Sequence, residues 1–205
     1  MKSVNDIRRR FDMRAAHYDN PVTAFVGERE LRAIRKLVPP HTEVLDYGCG
    51  TGRTTLDHLR RGCKVTAFDI SQKMLAIAEA KAAEMKFEAE FTTDPGQLDG
   101  RTWSVVTCIG VMDYYPNPVP LFNTLRHYLE PSGVLVVTFP NALSLSAWMY
   151  VAGSRFTVPA MARTPGFVSR SAARAGFRVT SLYYAFPAIP PVGHTMVAGL
   201  QFPTK

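Results

Sequence analysis

The chain has 205 residues, 46% of them hydrophobic and 20% charged, a balance that supports a packed core and excludes wholesale disorder. That length suits one sizeable α/β core and is short for two ordinary domains, and no apolar run approaches the roughly 20 residues of a membrane span. The formal charge of +7 suits nucleic acid, anionic lipid or an acidic small substrate and does not choose among them.

Residues 3–16 open with a capping Ser3 and place Val4, Ile7, Phe11 and Ala15 at helical spacing, which predicts an amphipathic helix lying over a cofactor cleft. A second helix over 22–37 is predicted to bury Phe25, Val26, Leu31, Ile34 and Leu37. The basic runs Arg8-Arg9-Arg10 with Arg14, and Arg32, Arg35 and Lys36, read as solvated helix faces. An alternation follows: strand 43–47, helix 54–61 stopped by Gly62, strand 64–68, and helix 72–85 capped by Ser71. Strands at 87–92, 103–109 and 133–139 and a helix at 118–129 extend it, predicting a parallel sheet with right-handed crossovers. Residues 141–165 read as a helix plus an apolar lid. The tail gives helix 167–175, a Gly176 stop, strand 177–185, a Pro-rich turn and a closing antiparallel strand 195–202. Cys49, Cys63 and Cys108 have no metal-ligand spacing and read as reduced, buried residues, and Met1–Asp6 lacks the apolar core of a signal peptide, so the chain is read as cytoplasmic.

The run Val44-Leu45-Asp46-Tyr47-Gly48-Cys49-Gly50-Thr51-Gly52-Arg53 joins a buried strand, three alternating glycines and a helix start, so a ligand can lie against bare backbone beside unpaired N–H groups. Its Gly-x-Gly-x-Gly spacing differs from the Gly-x-Gly-x-x-Gly turn of dinucleotide enzymes. A second strand ends at Asp69, about 20 residues further on, where an acid can accept both hydroxyls of a ribose.

These residues resemble the class I S-adenosylmethionine-dependent methyltransferases, and Phe11 to Asp19 looks like the entry segment of members related to quinone and tetrapyrrole biosynthesis. The resemblance implies a doubly wound α/β fold of seven mostly parallel strands with a reversed last strand. The chain is read as a single domain over 1–205, with an N-terminal helical cap at about 1–38 and a lid at about 141–165. The resemblance extends to the cofactor site. It further implies that Asp46 helps hold the methionine amino group, that Gly48, Cys49, Gly50, Thr51 and Gly52 pass beneath the methionine and ribose, and that Asp69 binds the ribose. Ile70 and Met74 would flank the adenine, with plain core packing the alternative for Met74. Asp94 stands where the family often has an adenine-contacting acid, although Pro95 has no N–H to offer the ring. Ile109 and Gly110 would lie by the methionine, Tyr18 by the cofactor, and S-adenosylhomocysteine would be the product.

Asp113 and Tyr114 could face the acceptor, with a helix cap and packed tyrosine as the alternative. His17 is the nearest candidate base, its alternative a surface histidine; His194 and Tyr183 rank below it, and His58 and His127 read as surface residues. No metal, Ser/His/Asp or phosphate-binding Lys motif appears. The sequence therefore predicts methyl transfer to a small, largely apolar acceptor, at oxygen, by in-line attack on the sulfonium methyl. Contact with a membrane surface fits the apolar 142–161 segment. The rivals are a nucleic-acid methyltransferase, motivated by the basic charge, and a non-catalytic cofactor-binding regulatory subunit.

Overall fold

The computed structural model describes residues 4–19, 21–154, 159–185 and 193–203. Helices α1 (Val4–Arg14) and α2 (Pro21–Ile34) precede β1 (Glu43–Tyr47), α3 (Arg53–Arg60), β2 (Lys64–Phe68), α4 (Gln72–Glu84), β3 (Glu90–Thr92) and β4 (Trp103–Cys108). Then come α5 (Val119–His127), β5 (Leu129–Pro140), α6 (Leu145–Ser154), α7 (Pro165–Arg174), β6 (Arg178–Ala185) and β7 (Thr195–Gln201). The strands form one sheet in the order β3-β2-β1-β4-β5-β7-β6. Only β7 runs against its neighbours; the other pairings are parallel. The chain order reverses between β1 and β4, the point at which an open parallel sheet leaves a crevice beyond its strand tips.

The sheet is buried on both faces. Leu45, Phe122, Phe139 and Phe177 pack on one side, and Ile34, Val38, Val44 and Val65 on the other. Cys49, Cys63 and Cys108 are buried free thiols. Ser71 caps α4 as predicted, its hydroxyl accepting from the Met74 N–H at 3.2 Å. α2 is clamped onto α3 by Arg35, whose Nε and Nη2 donate to the buried Asp57 at 3.0 and 2.6 Å. Arg35 is thus a packing residue and not part of a freely solvated basic face.

Four further sequence expectations need correction. β3 spans three residues, while β5 starts at Leu129 because Leu129 already pairs with Trp103 ahead of a bulge. Phe25 stays exposed at 48%, with the Arg29 guanidinium 3.6 Å from its ring centroid. His58 is fully buried, since α3 is enclosed from Thr54 to Leu59, and burial pushes its pKa below 6.5. The side chain of Val26, residues 155–158 of the expected lid and the Pro-rich turn at 186–192 lie outside the described residues.

Gly52 ends the turn after β1 at φ +86°, and a Cβ there would sit 2.8 Å from the Ala78 Cβ of α4. Both the left-handed backbone and the close approach demand glycine. Gly52→Val is expected to cost about 1–3 kcal/mol, read as a lower urea midpoint at unchanged slope.

Candidate functional site

Beyond the tips of β1, β2 and β4 lies a narrow cavity lined by Tyr47, Gly48, Gly50, Asp69, Ile70 and Met74, with Ile109, Gly110 and Tyr114 opposite. α1 lies across it and contributes Val4, Ile7 and Phe11, as its apolar spacing predicted. A Cβ added to Gly50, which has φ +56°, would meet nothing within 4 Å, so the turn leaves open space beside a cavity-lining backbone.

Asp69, 8% exposed, joins the two halves of this site. Its Oδ2 accepts from the Gly50 N–H and its Oδ1 from the Ser71 N–H, both at 2.8 Å. Burial raises its pKa, and these two bonds oppose the rise. Each oxygen keeps lone-pair capacity for a further donor.

The cap is latched at two points. Asp12 of α1 accepts from the Ser71 hydroxyl at 2.6 Å. Asp19 accepts from the Thr51 hydroxyl at 2.8 Å and from Lys81 Nζ at 2.6 Å. The Phe11 ring meets Tyr114 edge-on, centroids 5.4 Å apart.

A second cavity of about 380 Å³ adjoins the first, sharing Tyr18, Gly110 and Tyr114 with it. Its other walls include Glu30, Arg53, Asp113, Ser146, Tyr150 and His194. Flat phenol rings alternate there with a few polar groups, the usual make-up of a small-molecule pocket. Asp113 is 6% exposed; the Tyr150 hydroxyl lies 3.4 Å from its Oδ2, and its Oδ1 has no hydrogen-bond partner among the described residues. Burial, with the Glu30 charge adding to it, pushes the Asp113 carboxyl up to about 8, so it is largely protonated at neutral pH and can donate. His194 Nδ1 lies 3.1 Å from Ser146 Oγ, and burial lowers its pKa below 6.5, keeping the ring neutral at pH 7.

The structure does not bring every predicted residue to these cavities. Asp46 is 1% exposed, lines neither, and accepts hydroxyl hydrogens from Thr55 at 2.6 Å and Thr107 at 2.8 Å. It braces the end of β1 against α3 and β4. Asp94 is exposed, lines neither cavity, and accepts from the Gly96 N–H at 2.9 Å. His17 is exposed and lines neither, while the Cys49 and Thr51 side chains lie outside both linings. Glu30, Arg53, Ser146 and Tyr150 were missed, because helices and loops far apart in the chain assemble them without a shared spacing. His194, ranked below His17 in the sequence, lines the second cavity. Leu145, Trp148 and Met149 of α6 are exposed, whereas Ser146 and Tyr150 of the same helix line the cavity. Among the described residues no cluster of potential metal ligands exists and no helix is long and apolar enough to cross a membrane.

The family described as "Methyltransferase domain" matches residues 18–182. The chain belongs to this methyltransferase family. Ubiquinone biosynthesis O-methyltransferase of Xanthomonas axonopodis pv. citri (strain 306) is 24% identical over 125 residues, 59% of this chain and 52% of that protein. The Azoarcus sp. (strain BH72) protein of the same name is 26% identical over 159 residues, 68% and 66% of the two chains. This methyltransferase thus aligns over only about half the length of the first of these relatives. Magnesium protoporphyrin IX methyltransferase from Synechocystis PCC 6803, solved with bound SAH, superposes with a TM-score of 0.72 at 21% identity, covering 98% of this chain and all of that one. At that identity the likeness is one of fold.

The raised Asp113 pKa has a consequence for stability. An unfolded carboxyl ionises near 3.8, whereas the folded one holds its proton to about 8, so the folded state binds more protons between those values. Its contribution to stability therefore falls as pH rises from 3.8 through 8. Asp113→Asn should remove that slope, making denaturant midpoints of the variant rise relative to the parent between pH 4 and 8.

Proposed function

We propose that this chain transfers the methyl group of S-adenosylmethionine to oxygen of a small, largely flat and apolar acceptor held in the second cavity. The observation that carries this reading is the adjacency of the two cavities across Tyr18, Gly110 and Tyr114. A nucleoside-sized ligand against the glycine turn and an acceptor beside it would meet at that shared wall. The residues present fit the cofactor: Gly50 leaves room over bare backbone, Asp69 stands at the tip of β2 for the ribose hydroxyls, and Ile70 and Met74 supply apolar walls for the adenine. The bound sulfonium supplies an activated methyl group, so the protein's task is chiefly to align an oxygen in line with it and to exclude water.

An alcohol or phenol acceptor must also lose a proton. His194, neutral and turned toward the cavity, takes that proton in this reading, with Ser146 orienting the ring through Nδ1 and leaving Nε2 for the acceptor. The protonated Asp113 donates a hydrogen bond to a second oxygen of the acceptor, and the Tyr114 and Tyr150 rings flank it. His194 replaces His17 in this role. Residues of α1 and α2 serve as the cap, and the described residues of 141–154 and 159–165 as the lid, of a single catalytic domain. The exposed Leu145, Trp148 and Met149 beside the cavity support delivery of a lipid-soluble acceptor from a membrane surface, and the three free thiols support a reducing, cytoplasmic setting.

The test is transfer of labelled methyl from S-adenosylmethionine into a metabolite-rich extract, counted in organic, aqueous small-molecule, nucleic-acid and protein fractions. Label in the organic or small-molecule fraction is expected, and His194→Gln should lower that rate about 10²- to 10⁴-fold. Label confined to nucleic acid, or cofactor binding without any transfer, would replace this reading with one of its rivals.

A further inference from the structure

Resting on S-adenosylmethionine as the cofactor, we propose that the ion pair Glu30–Arg53, and not Asp46, anchors the amino-acid end of that cofactor. A methionine tail carries one ammonium and one carboxylate, and it must reach from the nucleoside cavity past Gly110. Asp46 has no face on either cavity, and its two carboxylate oxygens accept from Thr55 and Thr107. Arg53 Nη2 donates to Glu30 Oε2 at 2.8 Å, and both side chains line the second cavity beside Tyr18 and Gly110, the residues shared with the first.

Three observations give this pair a ligand. Among the described residues lining either cavity, Arg53 is the only permanent cation, so a carboxylate entering here has one charged partner available. Its guanidinium is half satisfied, since Nη1 is buried with no hydrogen-bond partner among the described residues. A buried donor left in that state is costly, and a bound carboxylate would relieve the cost. Finally, Glu30 brings a carboxylate to the same wall, where its Oε2 accepts from Arg53 at 2.8 Å. An ammonium lodged by Glu30 pairs with that carboxylate. The pair and the zwitterion then alternate in sign around a square of four charges, and α2 is drawn down on the cofactor by its Glu30. Gly27 belongs to the same device: the Arg53 side chain packs where its Cβ would be, with Nη1 against that position and Cδ 2.7 Å from it.

The experiment compares calorimetric binding of S-adenosylhomocysteine with that of 5′-methylthioadenosine, which has the same nucleoside and thioether but no amino-acid end. Arg53→Met is expected to weaken S-adenosylhomocysteine about 10- to 100-fold while leaving methylthioadenosine within about twofold. Gly27→Ala, which displaces the guanidinium and keeps its charge, should show the same selective loss, and Arg53→Lys should recover part of it. Equal weakening of both ligands would overturn the assignment, because a pair that only holds α2 against α3 cannot tell them apart. Unchanged S-adenosylhomocysteine affinity would overturn it too. A parent protein that binds neither ligand would instead remove the cofactor reading on which the assignment rests.

Discussion

The carboxylate of Asp69 is the joint on which this site hangs. By accepting from Gly50 N–H and Ser71 N–H it ties the turn after β1 to the turn after β2, and so fixes the two strand tips between which the first cavity opens. The chain of bonds continues through Ser71, whose hydroxyl caps α4 and donates to Asp12 of the N-terminal helix. One buried acid therefore positions the glycine turn, the following helix and, at one remove, the cap. A second latch through Asp19, Thr51 and Lys81 fastens the other end of the cap to the same turn.

Four acids at the strand tips and in α2 show how environment assigns work to one functional group. Asp46 accepts from two hydroxyls, lines neither cavity and acts as a brace. Asp69 accepts from two backbone donors, keeps lone-pair capacity on each oxygen and lines a cavity, so it can serve a ligand as well as the fold. Asp113, buried with one oxygen unpaired, is held neutral near pH 7 and becomes a donor. Glu30 accepts from Arg53 and supplies the acidic side of an ion pair at the cavity wall. Sequence position alone cannot distinguish these roles.

Much of the fold was legible because its signals are local. β1 and β2 match their predicted limits, as each is a short apolar run bounded by a turn and an acid, and Ser71 was readable as a cap from its place before an apolar helix. The α1 stripe of Val4, Ile7 and Phe11 was visible as periodicity, and the same residues line the cavity. What failed was non-local. His58 lies on a helix wrapped by α2, α4 and β2, so its burial depends on neighbours that no helical period reveals. The second cavity draws Glu30 from α2, Arg53 from α3, Tyr150 from α6 and His194 from the start of the last hairpin strand, residues spread over most of the chain. Asp46 was assigned by its motif position, and its two threonine partners, nine and 61 residues away, are not readable from that motif.

The first cavity encloses about 90 Å³, well below the roughly 300–1,000 Å³ of ligand pockets, so a cofactor enters only if the cap moves and closes again over it. No residue of α1 is fully buried, which makes that helix inexpensive to lift. Amide hydrogen exchange with and without S-adenosylhomocysteine tests this directly. The account predicts new protection at residues 48–52 and 69–71 together with α1, 4–14, since a single ligand is held between turn and cap. Protection of the glycine turn with unchanged exchange in α1, or protection located away from both, would contradict it.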